Sequence, residues 1–238
     1  MYKHLLLIFF RLIKSDIINN CVNNKHFLLT FDDEPSNNTD KILNILEKNN
    51  VTAIFFINGL QVFESQKMNK SLQNIINKGH TIGSHTFSHA ELTSLSDHNI
   101  IRELTDNELI FRKILNVKPL YFRPSYFSYD DRVLNIINQY FGYSTVLATL
   151  DSLDWTGIDS LQILDNFNNT LQQNNNISYI SLQHPKMTNT VDILDKVIKM
   201  IKNYGYEIIS IETCTGNNIS YQQDTFYYPN LPNGLKNY

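Results

Sequence analysis

Two kinds of apolar pattern alternate along this chain. Short β-branched and aromatic runs read as strands: Val51 to Ile57, Tyr143 to Leu150, Ile177 to Leu182 and Tyr206 to Ile211. Between them, apolar positions recur at the period of a helix with one buried face. Ile42, Leu43, Ile45 and Leu46 make such a face, with Thr39 as the expected cap. Leu72 to Asn77 makes another, stopped by Gly79. Ser94 and Asp97 read as a capping box for a helix running to Leu115. Further helices are expected over Asp130 to Tyr140, Asp159 to Gln172 and Val191 to Asn203. This alternation predicts parallel strands joined by crossover helices, an α/β fold. A closed barrel of that kind carries its site at the C-terminal ends of the strands. Periodicity alone fits an open doubly wound sheet equally well.

A chain of 238 residues can bury a sizeable core within one domain. Its formal charge of −3 comes without a basic patch, which argues against a nucleic-acid partner. Asn is abundant throughout, so a single Asn carries little information. Residues 1–20 read as a signal peptide or N-terminal extension. Lys3 precedes the apolar run Leu5 to Phe10, although Arg11 interrupts it. A buried first strand or an amphipathic helix is the alternative. That run is too short for a membrane span, and no later segment is long enough, so no transmembrane span is expected. A folded domain is expected over 21–216 and a polar C-terminal tail over 217–238. No feature fixes an oligomeric state.

Candidate chemistry follows the strand-like runs. Leu29-Thr30-Phe31-Asp32-Asp33 ends in two carboxylates, and Ser84-His85-Thr86-Phe87-Ser88-His89 offers two imidazoles. Alone, an Asp pair is a turn or a helix cap. A His-x-x-x-His pair shares a helical face or meets on a tight turn. Together, one carboxylate and two imidazoles form a catalytic zinc ligand set with an open position, and the second carboxylate is free to act as a base. Three segments follow in order. Tyr121-Phe122-Arg123-Pro124-Ser125-Tyr126 brings an Arg able to orient a carboxylate. Leu150-Asp151-Ser152-Leu153-Asp154-Trp155 holds the only Trp, a platform for a sugar face. Ile180-Ser181-Leu182-Gln183-His184 ends in a His suited to general-acid work.

These five segments, in this order, resemble the polysaccharide deacetylases of carbohydrate esterase family 4, which carry the NodB homology domain. The likeness runs from Thr30 to His184, with flanking elements to about Thr215. The stretch Ile209 to Gly216 looks most like fungal chitin deacetylases. The resemblance implies a distorted, incomplete (β/α) TIM-like barrel. It implies a hydrolase that removes the N-acetyl group of N-acetylglucosamine residues in chitin or chitooligosaccharides, releasing acetate. Asp32 is then the general base and His184 the general acid. Asp33, His85 and His89 hold Zn2+, with Co2+ or Ni2+ as alternatives. Arg123 holds Asp32, and the backbone N–H of Tyr126 helps form an oxyanion hole. Asp151 pairs with His184, and Trp155 and Leu182 shape the acetyl pocket. The fungal relatives further imply a disulfide between Cys21 and Cys214, and a secreted or cell-wall location.

Four positions depart from the family pattern: Glu34, where Gly is usual, Ser125 for Pro, Phe127 for Gly, and Pro185 for Asp. Glu34 has three open readings: an extra ligand, an obstruction, or an outward-facing side chain. These departures motivate an alternative function, a catalytically impaired relative that binds chitin as a wall component.

Overall fold

The computed structural model describes residues 17–173 and 176–222. Most of the leader reading, and the tail beyond Gln222, lie outside those residues. In chain order the described elements begin with β1 (Ile17–Ile18), β2 (His26–Leu28), β3 (Thr30–Glu34), α1 (Thr39–Lys48) and β4 (Ile54–Ile57). They continue with α2 (Gly59–Glu64), α3 (Gln66–Asn77), β5 (Thr81–Ser84), α4 (Asp97–Leu115), β6 (Lys118–Pro119) and β7 (Tyr121–Phe122). Next come α5 (Asp131–Ile136), β8 (Ser144–Val146), β9 (Leu150–Asp151), α6 (Ser160–Gln172) and β10 (Tyr179–Leu182). The last are α7 (Thr188–Asn203), β11 (Glu207–Ile208), α8 (Ile211–Thr215) and β12 (Tyr221–Gln222).

One parallel sheet runs β1-β8-β7-β5-β4-β3, and a second runs β11-β2-β10-β9. The two meet where β3 lies beside β10. The Asp32 N–H donates to the Gln183 carbonyl at 2.9 Å, and Thr30 Oγ1 donates to the Ser181 carbonyl. Helices pack outside, with Phe31, Phe55, Phe167 and Leu194 fully buried beneath them. The result is a distorted, incomplete (β/α) barrel, with every motif at the C-terminal end of a strand.

Several boundaries differ from expectation, each for a local reason. The long helix starts at Asp97, with Ser96 rather than Ser94 accepting the Asn99 N–H. Thr39 is the first residue of α1, not its cap, because its hydroxyl serves Ser36 and Glu34 instead. The strand expected over 143–150 is split into β8 and β9, and the carbonyls of Val146 and Leu147 at the break bond to Arg123. Tyr206 to Ile211 gives only the short β11 before α8 begins. Ile17 and Ile18 pair with Thr145 and Val146, so the folded body reaches further back than residue 21. At the other end, β12 pairs with β6, drawing Tyr221 and Gln222 into the body. Cys21 and Cys214 form a disulfide with their Cα atoms 4.4 Å apart. No helix among the described residues is long and apolar enough to cross a membrane.

Candidate active site

The site is built from five strand ends. The Asp pair closes β3, with Asp33 in a left-handed conformation at φ 60. Its side chain is buried against the loop after β5, where Thr86 (φ 65) and His89 (φ 61) form a tight turn rather than a helix. That turn is fixed from below. The Asn58 side chain donates to the His85 carbonyl at 2.5 Å, and Ser125 Oγ donates to the same oxygen at 3.1 Å. Asn107 donates to Ser84 Oγ at 2.8 Å and to the Ile57 carbonyl at 2.9 Å. Ser125 therefore holds the His loop by hydrogen bonding, which Pro could not do through a hydroxyl.

The two imidazoles converge on Asp33 Oδ1. His89 Nε2 lies 3.0 Å away and His85 Nε2 3.6 Å away. Oδ1 is buried yet makes no hydrogen bond. One donor atom from each of Asp33, His85 and His89 lies within 4.8 Å of the others. His85 Nδ1 sits 2.7 Å from the Arg123 carbonyl, which can only accept, so Nδ1 carries the proton and Nε2 keeps its lone pair. Burial lowers the His85 pKa, against the raising effect of Asp32 and Asp33, and so favours the neutral ring. For Asp33, burial pushes the pKa up. The nearby His89, the charge of His85 and the Lys186 ammonium outweigh it and hold the carboxyl well below the usual range. An ionised carboxylate beside two imidazole nitrogens, with His85 Nε2 keeping its lone pair, fits a divalent metal.

Asp32 faces the same centre. Arg123, fully buried, donates from Nη1 to Asp32 Oδ1 at 2.7 Å and to Thr30 Oγ1 at 2.6 Å. Asp32 Oδ2 stands 3.8 Å from His85 Nε2. His184 follows β10 and lines the same pocket. Its expected partner, Asp151, is not the one found. His184 Nδ1 lies 2.8 Å from Oδ1 of Asp154, and its backbone N–H donates to Oδ2 of Asp154 at 2.7 Å. Thr190 Oγ1 donates to the same Oδ2 at 2.5 Å. Asp151 instead accepts from the Leu153 N–H at 2.8 Å and from Trp155 Nε1 at 3.1 Å, which orients the indole. Burial lowers the His184 pKa, but the bond to Asp154 and the charges of Asp32, Asp154 and Asp33 outweigh it, and the net direction is upward.

These groups line a pocket of about 380 Å³ with Tyr126, Phe127, Trp155, Leu182, Lys186 and Met187. Trp155 and Tyr126 are both more than half exposed, and the Tyr126 ring packs on His89 with centroids 4.5 Å apart. Tyr126 (φ 59) and Phe127 (φ 51) are both left-handed, so the position where the family carries Gly does take the conformation that favours it.

Glu34 is none of the three things the sequence allowed. It is fully buried, lies outside the pocket, and accepts from the Thr39 hydroxyl at the start of α1. Burial, opposed by hydrogen bonds from Thr39 and Ser36, pushes its pKa from 4.5 up to about 7. The folded state then keeps a proton that the unfolded chain releases. The contribution of Glu34 to stability is fully present below pH 4.5 and is lost as pH rises through about 7, by about 3 kcal/mol for a shift of this size. Glu34→Gln is expected to remove most of that slope. Urea unfolding of both proteins at about pH 5 and about pH 8 tests it; parallel losses in the two would contradict it.

The model of the family described as polysaccharide deacetylase matches residues 19–146. A chitin deacetylase of Pestalotiopsis sp is 34% identical over 203 residues, covering 84% of this chain and 67% of that protein. A peptidoglycan-N-acetylglucosamine deacetylase of Bacillus cereus is 29% identical over 194 residues, covering 79% of this chain and 68% of the other. The structure of the chitin deacetylase from Colletotrichum lindemuthianum superposes with a TM-score of 0.83 at 28% identity, covering 90% of this chain and 99% of that one.

Proposed function

The chain belongs to the polysaccharide deacetylase family, and from that premise we propose that it hydrolyses the N-acetyl amide of N-acetylglucosamine residues in chitin or chitooligosaccharides, releasing acetate and leaving glucosamine. The observation that carries this reading is the arrangement around Asp33 Oδ1. A metal-fit triad, with Asp33 and His85 buried and His89 partly exposed, shares its pocket with a held carboxylate, Asp32, and a held imidazole, His184. The likeness to fungal chitin deacetylases favours chitin over peptidoglycan as substrate class.

Asp33, His85 and His89 would hold a divalent metal, with zinc the best match to a His₂-carboxylate set, and that metal would supply Lewis-acid polarisation of the acetamide carbonyl and acidify water. The chain's own groups do the rest. Arg123 occupies Asp32 Oδ1, which leaves Oδ2 to take the proton of the attacking water. His184 has Nδ1 committed to Asp154, so Nε2 is the atom that delivers a proton to the departing nitrogen. An amide nitrogen leaves only once protonated, so acid and base are both needed. The backbone N–H of Tyr126 is the proposed donor to the developing oxyanion. Trp155, held by Asp151, and Leu182 give the sugar and acetyl groups apolar walls. Of the four departures from the family pattern, only Phe127 lines the pocket, which favours an active enzyme over a wall-binding relative. The disulfide supports a secreted or wall-associated location, where such bonds persist.

The acid assignment predicts a pH effect. The acid form of His184 is present below its raised pKa and is lost as pH rises through it. Asp154→Asn removes the largest raising influence, so the alkaline limb of the kcat profile is expected to move to lower pH, with kcat down about 10–100-fold. An unmoved limb would reassign the acid. To test the substrate class, acetate release is compared on a chitin oligomer and on a peptidoglycan glycan strand. Faster release from chitin supports the reading, and preference for the peptidoglycan strand contradicts it.

A further inference from the structure

Lys186 has no role in the chemistry above, yet its ammonium forms an ion pair with Oδ2 of Asp33. We propose that Lys186 is a positioning residue that restricts Asp33 to a single metal-binding oxygen. The inference rests on the metal-site reading of Asp33, His85 and His89.

The two oxygens of Asp33 are divided between different partners. Oδ1 is buried, makes no hydrogen bond, and faces His89 Nε2 at 3.0 Å and His85 Nε2 at 3.6 Å. Oδ2 is turned to the Lys186 ammonium. The neighbouring carboxylate is divided in the same way, with Arg123 on Asp32 Oδ1 and His85 beside Oδ2. Each carboxylate thus has a cation on one oxygen and leaves the other to the centre.

Lys186 reaches Asp33 from a loop that is itself tied down. It lies two residues beyond His184, where the Met187 N–H donates to the His184 carbonyl at 2.9 Å. One residue earlier, the Pro185 carbonyl accepts from the Asn38 side chain at 2.8 Å. The loop joining β10 to α7 therefore delivers both the imidazole and the ammonium, and it is anchored to the segment between β3 and α1. Half of the Lys186 side chain is exposed, but its charged end is turned inward.

The physical need is clear from carboxylate chemistry. A carboxylate binds a metal through one oxygen or through both. A second Asp33 oxygen on the metal would take the position that a catalytic site must keep open. An ammonium on Oδ2 prevents this by charge–charge attraction without contributing a ligand, because Lys⁺ has donors only. Partners of this kind typically change metal affinity or activity by about 10–100-fold when removed.

The test uses full-length protein loaded with one equivalent of Co2+, whose visible absorption weakens as coordination number rises. Lys186→Met keeps an unbranched stem and removes the charge. It is expected to bind cobalt with the same stoichiometry and to show visible bands weaker by about twofold or more. With zinc, kcat should fall about 10-fold while KM stays within about twofold. Lys186→Arg, which also donates to a carboxylate oxygen, is expected to restore both the spectrum and kcat. A Met variant with the wild-type cobalt spectrum overturns the inference, and so does an Arg variant no better than the Met variant. The cobalt spectra decide this point even if the wild type releases no acetate, an outcome that would count against the deacetylase reading alone.

Discussion

Asp32→Asn is expected to lower acetate release by about 10³-fold while leaving fold and metal content intact. General bases typically contribute 10²–10⁴-fold, and here the base acts on the weakly acidic protons of water. The amide is nearly isosteric with the carboxylate, and its carbonyl can still accept from Arg123 Nη1, which now lies 2.7 Å from Oδ1. Arg123 also keeps Thr30 Oγ1 and the carbonyls of Val146 and Leu147, so its buried charge is not left bare. The variant therefore separates chemistry from folding better than any change at Arg123, where losing the guanidinium would strand those acceptors inside the barrel. Steady-state acetate release, with metal analysis of the same samples, checks it. Turnover within about 10-fold of wild type, at full metal content, would place the base elsewhere.

The second large effect concerns stability. Replacing both Cys21 and Cys214 by Ala is expected to lower the unfolding free energy by about 5 kcal/mol. The bond spans 193 residues, so its loss frees nearly the whole chain in the unfolded state. It also joins β2's approach to α8. Both cysteines are buried, the Val22 N–H donates to the Cys214 carbonyl at 2.8 Å, and the Cys21 N–H donates to Ser178 Oγ at 2.8 Å. Those bonds survive the substitution, so activity at low temperature should persist. Urea unfolding of the variant, and of the wild type with reductant, measures the loss. A change below about 1 kcal/mol would mean that chain entropy is not what the bond restricts.

The sequence made the strand ends legible because each apolar run stops abruptly at polar residues. This fixed Asp32, Asp33, His85, His89, Arg123 and His184 as one-sided strand-end groups, and the structure gathers all six around one centre. The choice between Asp151 and Asp154 was not legible, since both lie in Asp-Ser-Leu-Asp-Trp. It depends on the turn at Leu153 (φ 61), which turns the later carboxylate toward His184 and leaves the earlier one on Trp155. The break between β8 and β9 was hidden for a related reason. The residue that satisfies its carbonyls, Arg123, comes from another strand. Asn58 and Asn107 brace the His loop, but in an Asn-rich chain nothing local distinguishes them. Lys186 and Glu34 likewise depend on partners far along the chain or on burial, neither of which a motif records.

The most direct measurement is reaction of a short N-acetylglucosamine oligomer with zinc-supplemented protein in ¹⁸O-labelled water, followed by mass spectrometry of both products. The account predicts label in acetate, free amines on the sugar, and an unchanged number of sugar units. Shortened oligomers, or no acetate from a fully zinc-loaded protein, would contradict it.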